Sequence, residues 1–206
     1  MKKIVLFVAA LFTLFIFSGI SQAAEKKEAK PVAATTEAPK TIIGVGSVTV
    51  APVGKEVSNP QIRDAEDNPA TIPGIGTHVV GLFYSDTEAK DLGDPLADVI
   101  KAKNYDKAVY SGLGVSNMKD SAVPNFIIRS IVKGKIEKYK SVILTDVDYT
   151  LPKAWGLGDC KGKNVFVLVG KDKKIKYLKF TDKNTPWKSD EINSVISMID
   201  DLLKKK

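Results

Sequence analysis

Apolar and polar positions alternate in three distinct ways along this chain, and each pattern predicts a different kind of element. Val79 to Tyr84 is an unbroken apolar run, the pattern of a strand buried on both faces. It passes into Ser85-Asp86-Thr87-Glu88, after which Ala89, Leu92, Leu96, Val99 and Ile100 recur at helical spacing. Ser85 and Glu88 have the spacing of a capping box, so a helix is predicted to begin at this junction. Gly93-Asp94-Pro95 interrupts it, because proline removes a helical hydrogen bond and clashes with the preceding turn; a restart with Asp94 as cap is predicted.

Downstream the same periods recur. Val109 to Val115 predicts a second strand, and Asp120-Ser121 are placed to cap a helix from near Pro124, with Ile127, Ile128, Ile131, Val132 and Ile136 as its apolar positions. Val142 to Leu144 is a third strand, followed by a helical turn over Pro152 to Leu157. Val165 to Val169 and Ile175 to Phe180 flank Gly170-Lys171-Asp172-Lys173-Lys174 as a hairpin. An amphipathic helix closes the chain, with Ser189 as cap and Ile192, Val195, Ile196, Ile199, Leu202 and Leu203 on one stripe. Before all of these, Thr41 to Val57 mixes apolar and small residues and suggests one or two short edge strands. Gln61 to Asp64 then meets a turn at Ala65 to Pro69. Strands alternating with helices, then a hairpin and a last helix, give an α/β fold with a mixed sheet and helices on both faces.

The first residues follow another logic. Lys2 and Lys3 precede the uncharged apolar run Ile4 to Ile20, and Ser21-Gln22-Ala23 offers small residues where a signal peptidase reads. Residues 1–23 are therefore read as a secretory signal peptide cleaved between Ala23 and Ala24, with a retained membrane anchor as the alternative. Glu25 to Lys40 holds one large apolar residue, Val32, so 24–40 reads as a disordered tether and 41–206 as one folded domain. The expected location is the periplasm, with membrane contact only through the uncleaved signal peptide. Without Lys2 and Lys3 the chain keeps 29 basic against 24 acidic residues. In an exported protein that balance does not call for nucleic acid, and the lysine runs are expected to solubilise.

At this point a resemblance becomes specific. Asp64 through Tyr84, the interrupted helix, the strand–helix pair, and VILTDVDYTLPKAWGL (Val142 to Leu157) resemble the thioredoxin-like superfamily on its peroxiredoxin and TlpA side. Asp146, Lys153, Ala154, Trp155, Gly156 and Leu157 match its stretch of apolar strand, Asp, turn and Lys-Ala-Trp/Tyr-Gly-Leu/Val. The order and spacing of DPLADVIKAKNYDKAVYSGLGVSNMKDSAVP, IRSIVKGKIEKYKSVILTD and KAWGL are similar to the YtfJ family of small exported bacterial proteins. The resemblance implies a thioredoxin-like fold over Asp64 to Leu203.

The departures from that pattern bear on activity. Redox members carry a cysteine at the strand-to-helix junction, where the positive end of the helix dipole stabilises a thiolate. Here Ser85, Asp86, Thr87 and Glu88 stand there, a degenerate active-site junction with neither Cys-x-x-Cys nor a peroxidatic cysteine. The cis-proline expected before the hairpin is replaced by Lys163-Asn164-Val165-Phe166. The chain is thus expected to be a non-catalytic binding or accessory module for an unidentified periplasmic protein, with no cofactor.

Two chemical alternatives remain in the sequence. Cys160 is the only cysteine, so no internal disulfide can form. Its setting Gly158-Asp159-Cys160-Lys161-Gly162-Lys163 reads as a surface loop in which lysines lower the thiol pKa and Asp159 raises it, making Cys160 the redox candidate. Asp146-Val147-Asp148 after a strand also resembles the first motif of haloacid-dehalogenase-type phosphatases. That resemblance implies Asp146 as nucleophile, Asp148 as general acid/base, and magnesium; the structural alternative is a turn whose carboxylates cap backbone N–H groups. His78 is the only histidine, which disfavours a triad or a histidine metal site. Trp155 and Trp187 are expected to fill the core, each with a partner for its indole N–H.

Overall fold

The computed structural model describes residues 52–205. The signal peptide, the tether and the part of the edge-strand reading that falls on 41–51 lie outside the described residues. The elements in chain order are β1 (Ile62–Arg63), β2 (Pro69–Ala70), β3 (Val79–Ser85), α1 (Asp94–Lys103), β4 (Tyr110–Asn117), α2 (Asn125–Tyr139), β5 (Val142–Asp146), α3 (Thr150–Trp155), β6 (Asn164–Val169), β7 (Ile175–Thr181) and α4 (Ser189–Lys204). They form one seven-stranded sheet in the order β2-β1-β5-β4-β3-β6-β7. β3, β4 and β5 run parallel, whereas β6 pairs antiparallel with β3 and β7 antiparallel with β6. The predicted α/β class and mixed sheet are what the chain adopts.

β3 is an inner strand, paired on both edges, which is why its sequence is apolar from Val79 to Tyr84. The period of two shows most plainly on β6. Val165, Val167 and Val169 join Trp155 and Leu151 of α3 in one core, while Phe166 and Leu168 join Leu96 of α1 and Val195 and Ile199 of α4 in the other. Gly81 of β3 makes room for the Tyr110 side chain of the neighbouring β4, since a Cβ there would stand 2.2 Å from the Tyr110 hydroxyl.

Five local expectations are corrected. No helix begins at Ser85: residues 87–93 form successive turns, with Leu92 N–H donating to Ala89 O and Asp94 N–H to Asp91 O, and helical structure starts at Asp94. Asp94 is accordingly the first helical residue and not a side-chain cap; Gly93 holds the cap position. Asp120 and Ser121 do not cap α2, which starts after Pro124. Asp120 accepts from Asn117 Nδ2 at 2.7 Å, and Ser121 Oγ accepts from Val123 N–H at 3.1 Å. In α2 only part of the apolar set is inside: Ile128 and Val132 are buried, but Ile127 and Ile131 are 40% and 48% exposed. Of the edge strands read over Thr41 to Val57, the described end is a turn at Pro52–Lys55 and a single bridge, Glu56 to Lys174.

α4 is held to β7 by a clasp that the sequence pattern conceals. Its cap is Lys188, one residue before Ser189, and Glu191 accepts the Lys188 N–H at 2.9 Å. Both Glu191 oxygens also take Lys179 Nζ at 2.6 Å, and the same ammonium lies 5.0 Å from the Trp187 ring centroid. Burial raises the Glu191 carboxyl, but the Lys179 and Lys188 hydrogen bonds outweigh it and hold the group below its ordinary value. A carboxylate depressed in the folded state adds stability that is present above its unfolded pKa and disappears as pH falls through the folded one. Urea midpoints should therefore fall on acidification below the ordinary glutamate range, and less steeply in Glu191→Gln. Parallel slopes in the two proteins would exclude the clasp as the cause.

Candidate functional site

Ligand sites in open α/β sheets lie beyond the carboxyl ends of the parallel strands, where the strand order reverses. In this sheet that point lies between β3 and β6. A layer of buried polar side chains marks it: Asp86 after β3, Asn117 at the end of β4, Asp146 at the end of β5 and Asn164 at the start of β6. Each lies at the end or the start of a strand, so these buried polar groups gather at the rim of the sheet.

Asp86 organises the junction. One carboxylate oxygen accepts the N–H groups of Glu88 at 3.0 Å and Ala89 at 2.9 Å, fixing the turn that follows β3. The other accepts Gly162 N–H at 2.7 Å, from the loop between α3 and β6. The side chain is 4% exposed. Ser85 is the last residue of β3, in register with Ser116 and Asn164. Thr87 Oγ1 lies 3.0 Å from Ser121 Oγ, and Glu88 is exposed. The four junction residues are therefore together, but the cap is Asp86 alone.

Asp146 fills the same role on β5. Its carboxylate takes Asp148 N–H at 3.3 Å, Thr150 N–H at 2.9 Å, Leu151 N–H at 2.9 Å and the Tyr84 hydroxyl at 3.3 Å. Burial, followed by the charge of Asp146, pushes the Tyr84 hydroxyl far above its ordinary value, so it remains a donor. A phosphoryl nucleophile needs a carboxylate oxygen open to attack, and both oxygens here are directed at the start of α3. Asp148 is exposed, with its carbonyl accepting Lys153 Nζ at 2.9 Å. The arrangement is the capping turn, and it opposes the phosphatase reading of Asp146 and Asp148. Among the described residues no group of three His, Cys, Asp or Glu is placed to hold a metal ion.

Cys160 departs furthest from its expected setting. It is fully buried in the core beside Trp155 and Val165, although its neighbours Asp159 and Lys161 are exposed. Its thiol points to Gly158 O at 3.6 Å. Burial first, and the Asp159 carboxylate second, push the thiol up to about 12, against a smaller opposing effect of Lys163. Lys163 is engaged elsewhere, with Nζ 3.0 Å from Asp159 O and 3.5 Å from its carboxylate. The segment is a surface loop as expected, but the thiol is not exposed: Cys160 alone turns inward in a stretch bounded by two glycines in the left-handed region, Gly158 at φ 76° and Gly162 at φ 66°.

Two members of the site carry no motif. Gly162 contributes only its N–H. Asn164 Oδ1 is buried with no hydrogen-bond partner among the described residues, packed against Gly93, where a Cβ would stand 2.8 Å away. Among the described residues no peptide bond is cis, including that before Asn164. His78 is half-buried, its Nδ1 2.7 Å from Thr77 Oγ1. Trp155 meets the expectation for a core indole, donating to Ser58 O at 2.8 Å, whereas Trp187 Nε1 is buried with no hydrogen-bond partner among the described residues.

The match to known families follows this geometry. A family model described as a bacterial protein of unknown function, YtfJ_HI0045, matches residues 44–202. The chain belongs to this family. Its likeness to an uncharacterised protein of Haemophilus influenzae is 31% identity over 130 residues, covering 61% of this chain and 66% of that one. The aligned region is thus just under two thirds of the length of that relative. Among solved structures, the YtfJ-family chain resembles BsSco, of the Sco family of cytochrome c oxidase assembly proteins. That likeness has 15% identity and TM-score 0.54 over 75% of this chain and 97% of the other. It also resembles the exposed lipoprotein thioredoxin of Streptococcus pneumoniae, with 12% identity and TM-score 0.52 over 70% and 99% of the two chains. The fold is thioredoxin-like, and this YtfJ-family member has one cysteine and no Cys-x-x-Cys pair.

Proposed function

We propose that this YtfJ-family protein is an exported thioredoxin-like module that binds a periplasmic partner and performs no thiol chemistry of its own. The observation that carries the reading is Asp86. A junction kept for a thiolate leaves N–H groups free to stabilise it. In this protein a buried carboxylate already takes the Glu88, Ala89 and Gly162 donors. The one thiol in the chain is buried and raised to about 12, which supports the same conclusion from the opposite direction.

Export rests on the sequence of the first residues: Lys2 and Lys3, the apolar run to Ile20, and the small residues before Ala24. The thioredoxin-like protein of S. pneumoniae, described as an exposed lipoprotein, is a structural relative of an exported kind. Fractionation of a Gram-negative host should yield a soluble periplasmic species beginning at Ala24. A membrane-bound species whose intact mass includes Met1 would establish an anchor instead.

Catalysis is tested on the mature protein by insulin reduction with dithiothreitol and by peroxide consumption. Both should run at the rate of the blank, with and without Cys160→Ser. Turnover abolished by Cys160→Ser would replace the module reading with that of a one-cysteine oxidoreductase.

A further inference from the structure

The face of the sheet that carries α1 and α2 has a gap above β4. Right-handed crossovers place both helices on the side opposite Trp155. Leu113 and Val115 point into the Trp155 core, so Gly112, Gly114 and Ser116 point to the helical side. β4 is paired with β3 on one edge and β5 on the other, yet Gly112 is exposed and Gly114 and Ser116 are half-buried. An inner strand shows that pattern only where no helix covers it. Glycine keeps the floor low: a Cβ at Gly114 would meet only Ile143 within 4 Å.

The groove-facing flank of α2 is apolar in its first turns, with Ile127 and Ile131, and basic further on, with Lys135 and Lys138. Arg129 and Lys133 reach Asp67 and Glu66 on the β1–β2 turn, beyond the far edge of β5. Ile127 and Ile131 lie about 100° around the helix from the buried Ile128 and Val132, on the flank opposite Arg129 and Lys133, and so face back over β4. They are 40% and 48% exposed. The approach to α1 is acidic: Glu88, Asp91, Asp94 and Asp98 are all exposed, against Lys90, which is paired with Asp91 at 2.6 Å, and Lys101, one turn beyond Asp98 on the same flank. Lys135 of α2 faces Asp94 from across the groove without forming an ion pair. Burial, then repulsion from Asp91 and Asp98, raises the Asp94 carboxyl above its ordinary value. This acidic stretch belongs to a chain with 31 basic and 24 acidic residues, so its sign is local.

We propose that the groove between α1 and α2 is the docking surface of this module, and that it receives an amphipathic helix of a partner protein bearing lysine or arginine at the α1 end. An apolar stripe on one wall and carboxylates on the other match the two faces of such a helix. The inference rests on the reading of the protein as a binding module and specifies where and what it binds.

The probe is a leucine–lysine amphipathic peptide of about 18 residues, long enough to hold a helix, with its leucine–glutamate counterpart as control. Calorimetric titration of the mature protein should show binding to the lysine peptide only, weakening with salt. Amide shift changes should fall on α1, α2 and β4. Ile131→Glu and Asp94→Lys should each weaken binding about tenfold or more, roughly 1.4 kcal/mol, with both variants still folded by circular dichroism because both side chains are exposed. Val53→Glu, an exposed valine beside the start of β7, should leave it intact. Equal binding of the acidic peptide, unchanged affinity in Ile131→Glu, or no binding at about 1 mM would overturn the proposal. A negative titration with blank redox assays removes the groove and leaves the module reading standing; redox turnover removes the module reading itself.

Discussion

Asp86→Ala is expected to lower the unfolding free energy by about 2 to 3 kcal/mol, while the neighbouring Ser85→Ala changes it by less than about 0.5 kcal/mol. The difference follows from where the donors go. Hydrogen bonds to a charged acceptor contribute more than neutral ones, and removing the acceptor strands its donors. Of the three N–H groups on Asp86, that of Ala89 belongs to a buried residue, whereas Glu88 and Gly162 are exposed and regain water. This is why the expected loss is well below three full desolvation penalties. Asp86→Asn keeps one acceptor oxygen and should lie between the two. Urea unfolding followed by tryptophan fluorescence measures all three proteins. Amide exchange at Gly162 should rise in Asp86→Ala before global unfolding, because that single bond ties the loop to the junction. Superimposable unfolding curves for Asp86→Ala and the unmodified protein would show that the carboxylate does not organise this site.

That contrast also shows what a sequence pattern can and cannot locate. The apolar run at β3, the alternation on β6 and the stripe on α4 were legible because burial on a given face imposes a period, and period is written in the order of residues. The fold followed from those periods and from the KAWGL stretch. The capping box at Ser85 and Glu88 was misread because its spacing is a local signal, while the group that competes for the same N–H donors, Asp86, is one residue further on and is also bonded to Gly162. No local pattern contains a partner 76 residues away. The same limit applies to Cys160. Its flanking Asp159, Lys161 and Lys163 gave a polar loop, and those three side chains do face outward or toward each other. Of the three residues between the two left-handed glycines only Cys160 turns inward, and backbone sign at a glycine leaves no trace in composition. The exposed flank of α2 was hidden for the opposite reason: Ile127 and Ile131 fit the helical period, and a periodic apolar residue looks the same whether its neighbour belongs to this chain or to another.

The thiol of Cys160 should react with Ellman's reagent more slowly in the folded protein than in free cysteine at pH 8 by at least about three orders of magnitude. Only the thiolate attacks, and a free thiol with pKa near 8.5 is roughly one quarter ionised at that pH. With the pKa at about 12, the ionised fraction falls to about one in ten thousand. Full burial slows the reaction further by excluding the reagent, so the ionisation argument sets the lower bound of the protection. Guanidinium should release the whole effect at once, since unfolding restores both exposure and the ordinary pKa. Asp86→Ala should release part of it under native conditions, because the loop that carries Cys160 loses its tie to the junction at Gly162. Lys163→Ala should not accelerate the reaction: its ammonium is the one nearby group that favours the thiolate. The pH profile separates the two contributions. A rate that climbs tenfold per pH unit up to the alkaline limit of folding reflects suppressed ionisation, and a rate independent of pH reflects rare opening as the limiting step. A folded protein that titrates with one equivalent of reagent at the free-cysteine rate would place a reactive thiol at this site after all, and with it the chemistry that the buried carboxylate of Asp86 argues against.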